Sequence, residues 1–161
     1  MWKFTEINAF DSISLHDCRT DDIRIEGNDL VINFPDGFWI TASSKHIDTA
    51  NPLKTGPSQI RFIDVNIEPL VESIYLYKDV KLFGKTLFNK RISLEMNSFL
   101  KLINDGKHEL EFLYEFHNPL SNLYQCWVWK RNHGMVAECQ LELTAKSITY
   151  CWNEIHKDRE W

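Results

Sequence analysis

Glycine is scarce in this chain. Only six occur in 161 residues, and none falls in a Gly-x-Gly-x-x-Gly, P-loop or Gly-x-Ser-x-Gly arrangement. Those motifs need glycine where backbone must approach a phosphate or carry a nucleophile on a tight turn. Nucleotide-binding loops and serine-hydrolase elbows are therefore not expected. Positive charge is also in deficit, with 18 Lys and Arg against 23 Asp and Glu, a net charge of −5. Phosphate backbones are bound by clustered Lys and Arg. A cluster such as Lys130-Arg131, with His133 close by, is only two residues long, so nucleic acid is not an expected partner.

Long hydrophobic runs are missing too. No stretch approaches the roughly 18 apolar residues that cross a bilayer, and no membrane partner is expected. The opening Met1-Trp2-Lys3-Phe4-Thr5-Glu6 has no basic region followed by an apolar run, so no export signal is expected. The ending Asp158-Arg159-Glu160-Trp161 matches no lipidation signal. The four cysteines, at 18, 126, 139 and 151, include no Cys-x-x-Cys pair. Free thiols in a reducing, cytoplasmic setting follow from that pattern. The six histidines form no His-x-His or His-Glu-x-x-His motif, and neither a metal nor a cofactor is expected.

What the chain has is aromatic bulk and alternation. Aromatic residues make up 13% of it, six of them tryptophan, enough large rings to fill a dense core with some left for a surface. The length suits a single globular domain over residues 1–161. Ile23 and Ile25 alternate with Arg24 and Glu26. Gly27-Asn28 reads as a two-residue turn, and Leu30, Ile32 and Phe34 then share a face. With that turn Ile25 faces Leu30 and Ile23 faces Ile32, so register and hydrophobic pattern agree. Pro35-Asp36-Gly37 turns the chain again, and Phe38 and Ile40 continue the buried face. Residues 43–58 read as a long loop rich in turn residues. After it Ile60 and Phe62 share a face, while Ile63, Val65 and Ile67 have the opposite parity, which predicts a bulge or a strand buried on both sides.

Further strands are predicted around 73–78, 80–83, 86–95, 108–116, 123–130, 135–143 and 147–154. One helix is predicted near 97–105, with Asn97 as cap, Phe99, Leu100, Leu102 and Ile103 as its apolar stripe, and Asn104-Asp105-Gly106 ending it. The fold class is thus α+β, mostly antiparallel β, a sandwich or a curled barrel-like sheet with one main helix.

Three strands can be put in register. If an even turn, Arg131 to Gly134, joins the first two, Lys130 faces Met135, Val128 faces Ala137, Cys126 faces Cys139 and Tyr124 faces Leu141. If Ala145-Lys146 is the next hairpin turn, Leu143 faces Ile148 and Leu141 faces Tyr150. One face is then a core face. The other carries Trp127 and Trp129 beside Val136 and Glu138. Aromatic anchors among polar groups are the composition of a binding surface, so Trp127, Trp129 and Glu138 are the candidate binding residues. A covering helix around Phe99 and Leu102 would instead make both rings core.

His16-Asp17-Cys18-Arg19 is the most chemically loaded segment. An imidazole beside a thiol can generate a thiolate nucleophile, which makes His16 and Cys18 candidate catalytic residues. The alternative has both structural, with Cys18 buried and Arg19 paired to an acid.

The segments Leu15-His16-Asp17-Cys18-Arg19, Asn28-Asp29-Leu30-Val31-Ile32 and Phe34-Pro35-Asp36-Gly37-Phe38-Trp39-Ile40 resemble the opening of small uncharacterised proteins from low-GC Gram-positive bacteria. By type, that resemblance implies an immunity-like protein of the kind that neutralises a polymorphic toxin, and it carries over no site residue. The expected function is a non-enzymatic intracellular binding protein acting on a protein partner. The alternatives are a small-ligand or carbohydrate-binding module using Trp127, Trp129 and Glu138, and a thiol- or metal-assisted hydrolase centred on His16 and Cys18. Nothing in the sequence specifies an oligomeric state.

Overall fold

The computed structural model describes residues 1–65, 74–83 and 85–160. In chain order the strands are β1 Phe4–Ile7, β2 Ile13–Ser14, β3 Cys18–Thr20, β4 Asp22–Glu26, β5 Asp29–Phe34, β6 Trp39–Ile40, β7 Leu53–Thr55, β8 Ser58–Ile63, β9 Ile74–Leu82 and β10 Lys85–Ser93. Helix α1 Met96–Ile103 follows, then β11 His108–His117, β12 Asn122–Lys130, β13 Gly134–Leu143, β14 Ser147–Trp152 and β15 Ile155–Glu160. All pairings among them are antiparallel.

The strands form a five-stranded sheet, β1-β14-β8-β5-β4, a six-stranded sheet, β10-β9-β13-β12-β11-β3, and a four-stranded sheet, β15-β7-β6-β2. The first two face each other across one core, and among the described residues the sheets do not close into a barrel, so the architecture is sandwich-like. Edge-to-face ring pairs bridge the layers: Phe34 with Phe112 at 5.5 Å and Phe62 with Tyr124 at 5.8 Å. Such pairs add roughly 0.5–1.5 kcal/mol beyond the area they bury. Ile13 and Ile40 of the small sheet, and Phe38 just before β6, reach the same core.

The β4–β5 hairpin has the predicted register, Ile25 opposite Leu30 and Ile23 opposite Ile32, with Gly27 at φ 64°. Phe38 and Ile40 are fully buried, as the alternation requires. The parity change after Phe62 is made at Asp64, whose φ of 52° turns Val65 back into the core; Ile67 and residue 73 lie outside the described residues.

Five expectations need correction. Helix α1 starts at Met96 with Glu95 in the cap position, so Asn97 lies inside the helix and caps nothing. At the other end Asn104 does more than stop the helix. Its Oδ1 accepts the Ile23 amide at 3.0 Å and its Nδ2 donates to the Ile23 carbonyl at 2.6 Å, tying α1 to β4. The 43–58 segment is not one loop, because Leu53–Thr55 is a buried strand. Residues 73–83 and 86–95 are not three strands, since β9 and β10 make one long hairpin.

The fourth correction concerns β14, and the fifth the β12–β13 register. Strand β14 pairs with β8 and β1 and not with β13, so Ala145-Lys146 carries the chain from one layer of the sandwich to the other. Ile148, Tyr150 and Trp152 are buried all the same. A period of two marks the buried face of a strand and is silent about which sheet the strand joins. The β12–β13 register holds at Tyr124–Leu141, Cys126–Cys139 and Val128–Ala137. Nearer the turn it slips. The loop is Arg131–His133, Lys130 lies opposite Gly134, and Val136 is an extra residue that restores the parity, a β-bulge.

Candidate functional site

The outer face of the six-stranded sheet is where β3, β11, β12, β13 and β9 present their non-core residues. Across the ladder Trp127 stands between Glu111 and Glu138, and Trp129 between Glu109 and Met135. The bulge is why Met135, rather than Val136, is the neighbour of Trp129. The two indole rings meet edge to face, 6.0 Å apart at 69°.

Helix α1 does not cover them. It packs on the core side, with Phe99 and Ile103 buried beside β4 and β11. Both tryptophans are half-buried: neither is enclosed, and neither stands free to the extent a wholly exposed anchor would. Their partial cover is supplied by neighbours on the same face. The guanidinium of Arg19 lies 4.4 Å from the centroid of Trp129, and the Trp129 indole N–H donates to Glu111 Oε2. Glu111 is only 6% exposed, and Arg19 donates to its other oxygen through Nε and Nη2, each at 3.0 Å. Arg131 continues the chain of charges, donating to Glu109 Oε1 at 2.9 Å and reaching Asp21. The Trp129 end is therefore a satisfied polar network. The Arg19–acid pairing expected from the sequence is present, and its acids are Glu109 and Glu111.

The Glu138 end is open. Glu138 is exposed and lines a 270 Å³ depression with Tyr77, Asp79, Asn89, Met135 and Val136. Along the strands the same face continues through exposed Tyr114 and Phe116, which stand opposite Gln125 and Leu123. The alternation of Glu109 and Glu111 with Leu110 and Phe112 in β11 was the available signal for this acidic neighbour of the tryptophans. Arg131 and Tyr77 reach it through pairings too distant in sequence to read.

The geometry disfavours a sugar platform. Two rings at 69° make no flat surface, and Arg19 occupies a face of Trp129.

His16 and Cys18 are not brought into a nucleophile–base arrangement. Asp17 between them has φ 56°, so they do not alternate along one strand. The imidazole Nδ1 donates to the Leu113 carbonyl at 2.5 Å, and Nε2 lies 3.6 Å from Asp17. The Cys18 thiol points to the carbonyl of His16 at 3.5 Å. Burial pushes this thiol up to about 11 despite the Lys54 ammonium 3.2 Å away, the opposite of what a nucleophile needs. Cys126 and Cys139 are buried in the core and their thiols are pushed up by burial, Cys139 to about 12, while Cys151 belongs to the other sheet. Among the described residues no three His, Cys, Asp or Glu side chains are grouped to hold a metal ion.

A second cleft of 560 Å³ lies between residues 46–49 and the β14–β15 turn, lined by Phe4, His46, Asp48, Glu154 and His156 among others. Its wall is braced by His46, which bonds Glu6 at 2.9 Å and meets the Trp152 ring edge-on. Burial opposes charge on Glu6, but bonds from Lys45 and His46 prevail and hold its carboxyl below the usual range.

Comparison with protein-family models, with curated proteins and with solved structures finds no match to this chain.

Proposed function

We propose that this chain is a non-enzymatic binding protein that engages a protein partner through the outer face of its six-stranded sheet. The observation that carries the reading is an aromatic sheet face left uncovered by its own helix, with Trp127 half-buried between the enclosed Glu111 and the exposed Glu138. Interfaces draw their strength from such anchors at the centre of a patch with a polar rim. The acid-rich composition suits a basic partner, because opposite fields speed and orient encounter. An immunity-like role, with a basic toxin as the partner, is the version that the resemblance of the opening segment supports.

The test is a titration of the purified chain against the product of a toxin gene beside its own. Trp127→Ala is expected to weaken the complex by about 2 kcal/mol or more, the usual hot-spot scale. Glu138→Lys should slow association at low salt and have little effect at high salt. A complex that forms equally well with both variants would place the interface elsewhere.

A further inference from the structure

The hairpin of β9 and β10 reaches beyond the sheet that holds it. Strand β13 pairs with β9 only over Ile74–Tyr77. From Lys78 onward the two strands pair with each other alone among the described residues, through Lys78–Lys90, Asp79–Asn89 and Val80–Phe88. The end of this arm is apolar. Phe83 is 96% exposed with φ 48°, Leu87 is the bulged residue at 58%, and Phe88 is 56% exposed. Large exposed apolar groups gathered at one place mark a site of contact.

The charge of the arm is opposite to that of the rest. Residues 74–93 contain Lys78, Lys81, Lys85, Lys90 and Arg91 against the single acid Asp79, in a chain of net charge −5. The hairpin thus carries a net charge of +4, five cations less one acid, and the remainder of the chain is correspondingly more acidic.

Two occupants fit poorly. A second copy adding its own β10 to this edge would set one basic strand against another, and lysines on an edge strand are a device that blocks such pairing. A grooved partner would need to enclose Phe83, just past the end of β9, together with Leu87 and Phe88 near the start of β10, all of them exposed. A flat anionic interface meets both features. Aromatic and aliphatic side chains settle at the headgroup–acyl boundary, and cations just behind them meet the lipid charges.

We propose that the β9–β10 arm docks on anionic lipid surfaces, with Phe83, Leu87 and Phe88 entering the interface and Lys78, Lys85 and Lys90 contacting headgroups. No spanning segment is required, so the shortness of the apolar runs does not bear on it. Asp79 and Asn89 of the arm line the Glu138 depression, but Phe83, Leu87 and Phe88 do not, and the proposal stands whether or not the tryptophan face binds a protein.

The experiment is co-sedimentation of the full chain with vesicles of phosphatidylcholine and phosphatidylglycerol in equal parts, and with phosphatidylcholine alone. Binding to the mixed vesicles only is expected. Phe83→Ser/Leu87→Ser/Phe88→Ser should reduce it to background. Lys85→Gln/Lys90→Gln should weaken it about 30-fold, the factor that roughly 1 kcal/mol per removed cation converts to. All substituted side chains are exposed, and an unchanged unfolding midpoint shows that the fold is kept. No binding to the mixed vesicles, equal binding to neutral ones, or full binding by the apolar-tip variant would overturn the proposal. So would a dimer in light scattering that the apolar-tip variant converts to a monomer, since the arm would then be covered by a second copy.

Discussion

Arg19 lies across the face of Trp129 at 4.4 Å while donating two hydrogen bonds to the enclosed carboxylate of Glu111, so one guanidinium both covers an indole and neutralises a buried acid. The planar fork of arginine permits this double use, and a lysine could not reproduce it. Arg19→Ala leaves Glu111 with the Trp129 N–H as its remaining side-chain donor. Breaking a fully buried pair costs several kcal/mol, but Arg19 is 43% exposed and water replaces part of what is lost. Destabilisation of about 2 kcal/mol is expected in urea unfolding. Glu111→Gln should cost a comparable amount, about 2 kcal/mol, since the amide oxygen can accept from the indole but the amide NH2 then meets the guanidinium donor to donor. The double variant should be less destabilised than the sum of the two; strict additivity would show that the groups do not work as a unit.

The Pro35-Asp36-Gly37 turn holds the most demanding glycine. At φ 76°, a Cβ on Gly37 would lie 2.2 Å from the Thr55 carbonyl oxygen and 2.4 Å from the Thr55 hydroxyl. That hydroxyl accepts the Phe38 amide at 2.9 Å, so it cannot retreat without breaking the join of β6 to β7. Gly27 has a similar φ and nothing within 4 Å. Gly27→Ala should cost about 1 kcal/mol, the left-handed penalty alone. Gly37→Ala should cost about 3 kcal/mol or more through the added clash. Thermal unfolding of the two variants separates the terms, and similar losses would count against the close approach.

All four cysteines are free and buried. A thiol reagent without reductant should count four in denaturant and react very slowly with the native protein, at a rate set by opening of the fold. A count of two in denaturant would indicate a disulfide. Cys18→Ser should lower stability and leave binding unchanged. It replaces a thiol lodged at 1% exposure beside Lys54, whose ammonium also lies 4.4 Å over the Trp39 ring.

Much of this was legible locally. The Gly27 hairpin, the short apolar stripe of α1 and the inward faces of β12 and β13 follow from side-chain period and turn residues, which act over a few positions. Partnership between distant strands was not legible. Ile148, Tyr150 and Trp152 read as core in either sheet, and only packing decides that β14 joins the sheet facing β13 instead of lying beside it. The tryptophan site shows the same division. The pairing of Trp127 with Glu138 came from register within one hairpin, whereas Arg19 and Glu111 are 92 positions apart and meet because β3 adds to the far edge of β11.

The imidazole of His117 gives a pH signature. Its Nδ1–H donates to Asn122 Oδ1 at 2.8 Å, its Nε2 lies 3.7 Å from Glu115, and Phe10 stacks on it at 4.0 Å. Burial among these rings opposes the charged form, but the bonds to Glu115 and Asn122 outweigh it and raise the pKa above the ordinary value. A group whose folded pKa exceeds its unfolded one binds protons more tightly when folded. Its stabilisation is complete below the unfolded value, about 6.5 for histidine, and is lost as pH rises through the folded value. The Glu115 carboxylate is held in position by the Leu15 amide, which donates to its other oxygen at 2.6 Å. Urea midpoints of the native chain and of His117→Gln, measured from pH 5 upward, should differ most at the acid end and converge as pH rises past neutrality. A difference that is flat, or that grows with pH, would mean that the ring is held mainly as a neutral stacking partner of Phe10 and that burial outweighs the carboxylate.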